Sequence, residues 1–261
     1  METGNKVMST AVNTGTTKTG SRFAPVFVGF MGLCASAVVA HGALSHNHWY
    51  RWGFLSLVLI GGLTARLKIK LPGLNGNMSV SLPFIFIAMT QLSLAEALLM
   101  AAVSVFTQSL PKRPNKFRPV QVFFNVCTAL AAAGFGWEAF HGVAALHLNT
   151  AFNLVLACTV HLLVSTVAVA VIISLTESQN AWHTWSDIFH LSFPYYLASS
   201  GVASMAAAVG GHATWPMLIG ISFVMFVTYR SYRLYFGMVT TGARASATFA
   251  PVQAKSAAAT R

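Results

Sequence analysis

Seven apolar runs, 24–44, 52–65, 79–110, 120–135, 148–175, 191–209 and 215–229, occupy most of this chain, and one charged residue, Glu96, lies inside them. A helical bilayer crossing takes about 20 residues, so runs of this length and purity predict transmembrane helices. Of the 261 residues, 8% are charged and 55% hydrophobic, and the mean hydropathy is +0.64; soluble domains carry about 25% charged residues. A soluble globule is excluded. The length leaves no room for an appended catalytic domain beside seven or eight crossings. The expected fold is all-α, a polytopic integral membrane helix bundle of about eight spans.

Charge sets the expected topology. Sixteen Lys and Arg against five acids give a net charge of +11. In a soluble chain that would suggest nucleic acid, but here the bases flank the apolar runs, and cytoplasmic loops collect Lys and Arg. The partner expected is the lipid bilayer and no nucleic acid. Arg66, Lys68 and Lys70 precede the run 79–110, and Lys112, Arg113, Lys116 and Arg118 follow it. Both flanks then face the cytoplasm, so this run is expected to cross twice, as a hairpin turning near Gln91 to Leu94. Each arm has about 16 residues, or roughly 24 Å, less than the ~30 Å hydrocarbon core. Both termini fall inside, in a bacterial cytoplasmic membrane. Segment 1–22 is expected to be disordered, 23–237 to form the helical domain, and 238–261, rich in Ala, Ser and Thr, to be a disordered tail. Segment 177–190, with Trp182, Trp185, Asp187 and Phe189, reads as an amphipathic helix on the cytoplasmic surface.

No phosphate-cradling glycine loop, G-x-S-x-G or H-E-x-x-H occurs in the sequence, so no enzymatic activity is expected. Cys34, Cys127 and Cys158 sit in apolar runs and read as core residues without a disulfide framework. The remaining polar groups in apolar surroundings are the candidate site, because polar side chains in lipid turn to the bundle interior. Glu96 falls in the first turn of the second hairpin arm, where a helix N-terminus favours a carboxylate; capping and a ligand or proton site at a broken helix are both open. Gln91, Gln108, Asn125 and Asn153 join it in an interior network or bond neighbouring helices. His161, in the middle of its run, either bonds across to another helix or binds a ligand or relays a proton. His41, His46, His48, His141, His147 and His212 all fall toward the outer side with Glu138, and read either as solvated loop histidines or as a metal or pH-sensing set. No other cofactor is expected.

Leu67-Lys68-Ile69-Lys70-Leu71-Pro72-Gly73, then Ser79-Val80-Ser81-Leu82-Pro83-Phe84-Ile85-Phe86, Ala95-Glu96-Ala97 and Gln108 follow in order along the chain. So do Gln121 to Asn125, Asn153 with the run to Ser174, Pro194-Tyr195-Tyr196 and Arg230-Ser231-Tyr232-Arg233-Leu234-Tyr235. This succession, over about residues 24 to 236, resembles the multi-span sensor region N-terminal to bacterial HD-GYP phosphodiesterases and GGDEF diguanylate cyclases. Neither catalytic signature occurs here, so the resemblance implies the membrane input module alone. It implies signal output through Arg230, Arg233 and Tyr235 to a protein partner in trans, an arrangement that a homodimer would suit. The Leu71-Pro72-Gly73-x-x-x-x-x-Ser79 stretch is also similar to the substrate-binding membrane subunits of vitamin uptake transporters. Transport is therefore the second expectation, with Glu96 and Asn125 in an interior site, and a structural subunit of a membrane complex the third.

Overall fold

The computed structural model describes residues 22–44, 52–70, 77–110, 118–144, 149–209, 216–231 and 234. It is helical apart from one short antiparallel pair. In order come α1 (Ala24–Ala43), α2 (Trp52–Thr64), β1 (Lys68–Lys70), β2 (Asn77–Ser79), α3 (Leu82–Gln91), α4 (Leu94–Ser109), α5 (Pro119–Ala144), α6 (Thr150–Glu177) and α7 (Ala181–Val209). A final helix, α8, covers Pro216–Ser231. The strands pair Lys68 with Ser79 and Lys70 with Asn77, a ribbon that the apolar pattern did not announce.

Local chemistry explains the boundaries. Pro sits in the first turn of α1 and of α3, where its missing N–H costs nothing. Asn149 Oδ1 accepts from Ala151 N at 2.9 Å at the start of α6, and Asn180 Oδ1 accepts from Trp182 N at 2.9 Å at the start of α7. Both are side-chain N-caps. Ser178, at φ 55°, makes the left-handed turn between them. Such a turn suits the reversal after a helix C-terminus.

Packing sets the directions. Gly42 near the end of α1 lies against Leu94 and Leu98 at the start of α4, and Gly32 meets Phe123 near the start of α5. The indole N–H of Trp137, late in α5, donates to Leu92 O at 3.2 Å, whereas Asn125, early in α5, faces Ser109 at the end of α4. Helices α1 and α5 therefore run together and α4 runs against them. Gly61 lies against Met100 and Gly62 against Val103, and Val80 N donates to Leu67 O at 3.4 Å, which holds the end of α2 at the start of α3, away from the α3–α4 break, so α2 runs with α4. These contacts bring Arg22, Arg66 and Arg118 to one end of the bundle, and His41, Glu138 and His141 to the other.

Among the described residues, three helices are long and apolar enough to cross a membrane: Ala24–Ala43, Pro119–Gly142 and Thr150–Glu177. Large apolar side chains cover the outside, among them Phe23, Leu33, Leu63, Phe223 and Met205, a surface suited to lipid rather than water. The hairpin of 79–110 breaks at Leu92 and Ser93 as expected. Its first arm cannot cross, however: α3 has 10 residues, about 15 Å at 1.5 Å per residue. Every residue from Leu82 to Met89 is buried, so α3 is an internal half-length helix rather than a span. The separate helix expected over 177–190 has different bounds. Glu177 ends α6, and 181–190 is the first third of α7, 29 residues without interruption. The tails 1–21 and 235–261 lie outside the described residues.

Candidate functional site

Helices α5 and α6 approach through small residues. A side chain on Gly136 would run into the Met89 methyl, and would come within 3.2 Å of Ala157 O and 3.5 Å of His161 Cβ. On α5, Thr128, Ala132 and Gly136 recur every four residues. On α6, Asn153, Ala157, His161 and Ser165 do the same, so each set forms one helical stripe, and the Gly136 contacts bring the two stripes face to face. On α7 the buried Ser192, Ser199 and Ser200 lie on either side of Tyr196.

His161 is the centre of this seam. Its ring packs edge-on to Phe86 of α3 at 5.5 Å and against Tyr196 of α7 at 5.7 Å. Ser165 Oγ lies 3.4 Å from its Nδ1, and the Tyr196 hydroxyl lies close to Ser165. The Cys158 thiol, one turn away, interacts with Ser200. His161 is 5% exposed and Asn153 3%. Among the described residues, neither His161 Nε2 nor Asn153 Oδ1 has a hydrogen-bond partner, and the same holds for Gln91 Nε2, Thr128 Oγ1 and Ser199 Oγ. Buried polar groups are nearly always satisfied by protein or by an ordered small molecule such as water. Unsatisfied groups on each of α3, α5, α6 and α7 mark this seam as the place where chemistry from outside the chain fits best.

Glu96 has a different role. Its Oε2 accepts from Ser93 N at 3.0 Å and from Ser93 Oγ at 2.8 Å, while Glu96 N donates to Ser93 Oγ at 3.4 Å. This is a capping box, which satisfies N-terminal donors of α4 reciprocally. The capping role that the sequence left open for Glu96 is thus formed in the structure. Asn125 is not near it. The Asn125 amide donates to Ser109 Oγ at 3.4 Å, at the far end of α4 and about 20 Å from Glu96 at helical rise. Gln108 lies at that same far end, half-buried. The structure therefore separates Glu96 from Asn125 and Gln108, and gathers His161 with residues that composition does not single out: Ser165 and Tyr196. Hydroxyls within apolar helices carry no sequence signal, since most bond back to their own helix.

Among the outer histidines, His41 Nε2 meets Glu138 Oε1 at 3.1 Å. His141 stacks on Trp137 at 3.8 Å, with its Nδ1 3.0 Å from Trp137 O. His46, His48, His147 and His212 lie outside the described residues. Among the described residues no group of three or more His, Cys, Asp and Glu is placed to hold a metal ion. Arg230 is exposed at the end of α8; Arg233 and Tyr235 lie outside the described residues. Cys127 and Cys158 are buried, Cys34 is half-buried, and all three are free thiols.

No family model, no curated protein and no solved structure matches this chain.

Proposed function

We propose that this chain is a multi-span protein of the bacterial cytoplasmic membrane that registers a small molecule within its bundle and reports it to a protein partner in trans, without chemistry of its own. The observation that carries the reading is α7. Its 29 residues extend about 44 Å, and the first half, about 21 Å, joins the exposed Trp182 and Asp187 to the interior, where Tyr196 touches His161. Between the two lies Pro194. A proline inside a helix removes one backbone hydrogen bond and permits a kink. A change at His161 thus has a stiff rod and a hinge through which to reach the far end. Trp182, Trp185, Phe189 and Phe193 stack in sequence along that end, with centroids 4.9, 5.3 and 5.7 Å apart. Trp182 is 72% exposed and offers a partner a rigid aromatic edge.

Arg22, Arg66 and Arg118 at the same end support its placement in the cytoplasm. Cysteines placed one at a time by His41→Cys and Arg118→Cys, on a background with the native cysteines removed, are expected to label from opposite faces of sealed vesicles with a membrane-impermeant maleimide. Labelling from one face would overturn this orientation.

A photocrosslinking residue at position 182, in native membranes, tests the output. A discrete adduct absent when the same residue replaces the lipid-exposed Phe223 is expected, and an adduct of twice the chain mass would assign the partner as a second copy. Identical patterns from 182 and 223 would contradict the proposal. The second reading, a substrate-binding subunit of a transporter, is favoured by one observation, the break between α3 and α4 beside buried polar atoms. Interrupted helices near the bilayer midplane are where transporters hold substrates.

A further inference from the structure

We infer that the seam between α3, α5, α6 and α7 is a binding site for a small uncharged molecule carrying both hydrogen-bond donors and acceptors, with His161 Nε2 as its central contact. This deepens the proposed function and rests on its membrane setting, but not on the existence of a partner.

The unsatisfied atoms define the ligand's chemistry. Asn153 Oδ1 asks for a donor and Gln91 Nε2 for an acceptor, while the Ser199 hydroxyl and His161 Nε2 can take either; Thr128, about 12 Å along α5 from Gly136, lies beyond the reach of the same molecule. A ligand that only accepts, or only donates, leaves part of the set unmet. Charge is excluded by what surrounds them. No lysine or arginine is found among the buried residues described, so an anion has no counter-charge, and an unpaired ion in such a medium is very costly. The one buried carboxylate, Glu96, is committed to Ser93, so a cation finds no free acid.

Extent argues against a single water. From Asn153 to His161, the unmet groups of α6, the helix rises about 12 Å, and one buried water satisfies about three groups close together. The lining is also built to yield. The space over Gly136 is filled by the end of the Met89 side chain, an unbranched thioether that repacks readily, near the end of the 10-residue α3. Moving that one side chain opens the seam onto His161 without separating α5 from α6.

The test uses the full chain in lipid vesicles and diethyl pyrocarbonate, a small uncharged acceptor-bearing probe. The unprotonated imidazole nitrogen attacks one carbonyl of the anhydride; an N–C bond forms and a C–O bond breaks. The departing ethyl carbonate takes up the imidazole proton and decomposes to ethanol and carbon dioxide. Peptide mass mapping compares His161 with the exposed His183 and His190 in the same sample. His161 is expected to react within about tenfold of them, whereas a histidine reached only through global opening would lag by about 10³-fold or more. Lag on that scale overturns the inference.

Native mass spectrometry of the gently extracted protein supplies the second readout. A retained non-lipid adduct is expected in the wild type and lost in His161→Phe, with the thermal unfolding midpoint of the variant unchanged or raised. A lowered midpoint without any adduct in the wild type would make the seam a hydrated structural network and reject the site. Either result leaves the crosslinking from position 182 to be judged separately.

Discussion

Gly136→Leu is expected to destabilise the protein by about 3 kcal/mol, at the upper end of what forced overpacking of a core costs. The new side chain has nowhere to go. Its first carbon already meets the Met89 methyl and comes within 3.2 Å of the Ala157 carbonyl, and a carbonyl fixed in α6 cannot rotate aside as a thioether can. The stripe of Ala132, Gly136 and Ala157 is what allows α5 and α6 to approach, by the same close packing that small residues give membrane helices elsewhere. Gly142→Leu on the same helix is the control, because nothing lies within 4 Å of a side chain added there. Reversible unfolding in mixed micelles reads both. Gly→Leu improves helix propensity at both positions, so equal loss in the two variants would mean that the α5–α6 approach at Gly136 does not set the cost.

Glu96→Ala is expected to cost about 2 kcal/mol, from loss of the cap and the donors it leaves unmet in a buried place. The comparison with Glu96→Gln is the informative one. Glutamine at the same position of a capping box reaches back to the backbone as glutamate does, so this variant should retain most of the stability and all of the signalling output. A Glu96→Gln protein that folds normally but has lost output or transport would assign the carboxylate a charge-dependent role and remove the capping account.

These two positions differ in how far the sequence discloses them. Ser93 and Glu96 stand three residues apart at the break of an apolar run, a pattern that carries its mechanism within four residues, and both the break and the cap follow from it. Gly136 is one small residue among many in α5, and what it touches on α3 and α6 depends on tertiary packing. His161 was visible as a polar residue in an apolar run, and so was Asn153 on the same stripe. Its contact with Tyr196 joins positions 35 apart in the sequence across a helix turn, and no local pattern encodes that. The continuity of α7 was misread because Trp182, Trp185 and Asp187 have the composition of a surface helix. Nothing between His190 and Leu191 stops the helix, though, and Asn180 already caps its start. Half-length α3 was misread by the rule that basic flanks count crossings; the short ribbon after Arg66 and the buried arm make that count too generous.

Coupling along α7 is the central claim, and hydrogen–deuterium exchange of the 181–190 amides in lipid nanodiscs tests it most directly. These amides lie about 9 to 23 Å along the helix from Tyr196. His161→Phe is expected to change their protection, and Pro194→Ala, which restores the helix hydrogen bond at the hinge, is expected to alter that response. Protection at 181–190 that is identical in the wild type, His161→Phe and the double variant would contradict the account, because the seam and the exposed end of α7 would then be independent.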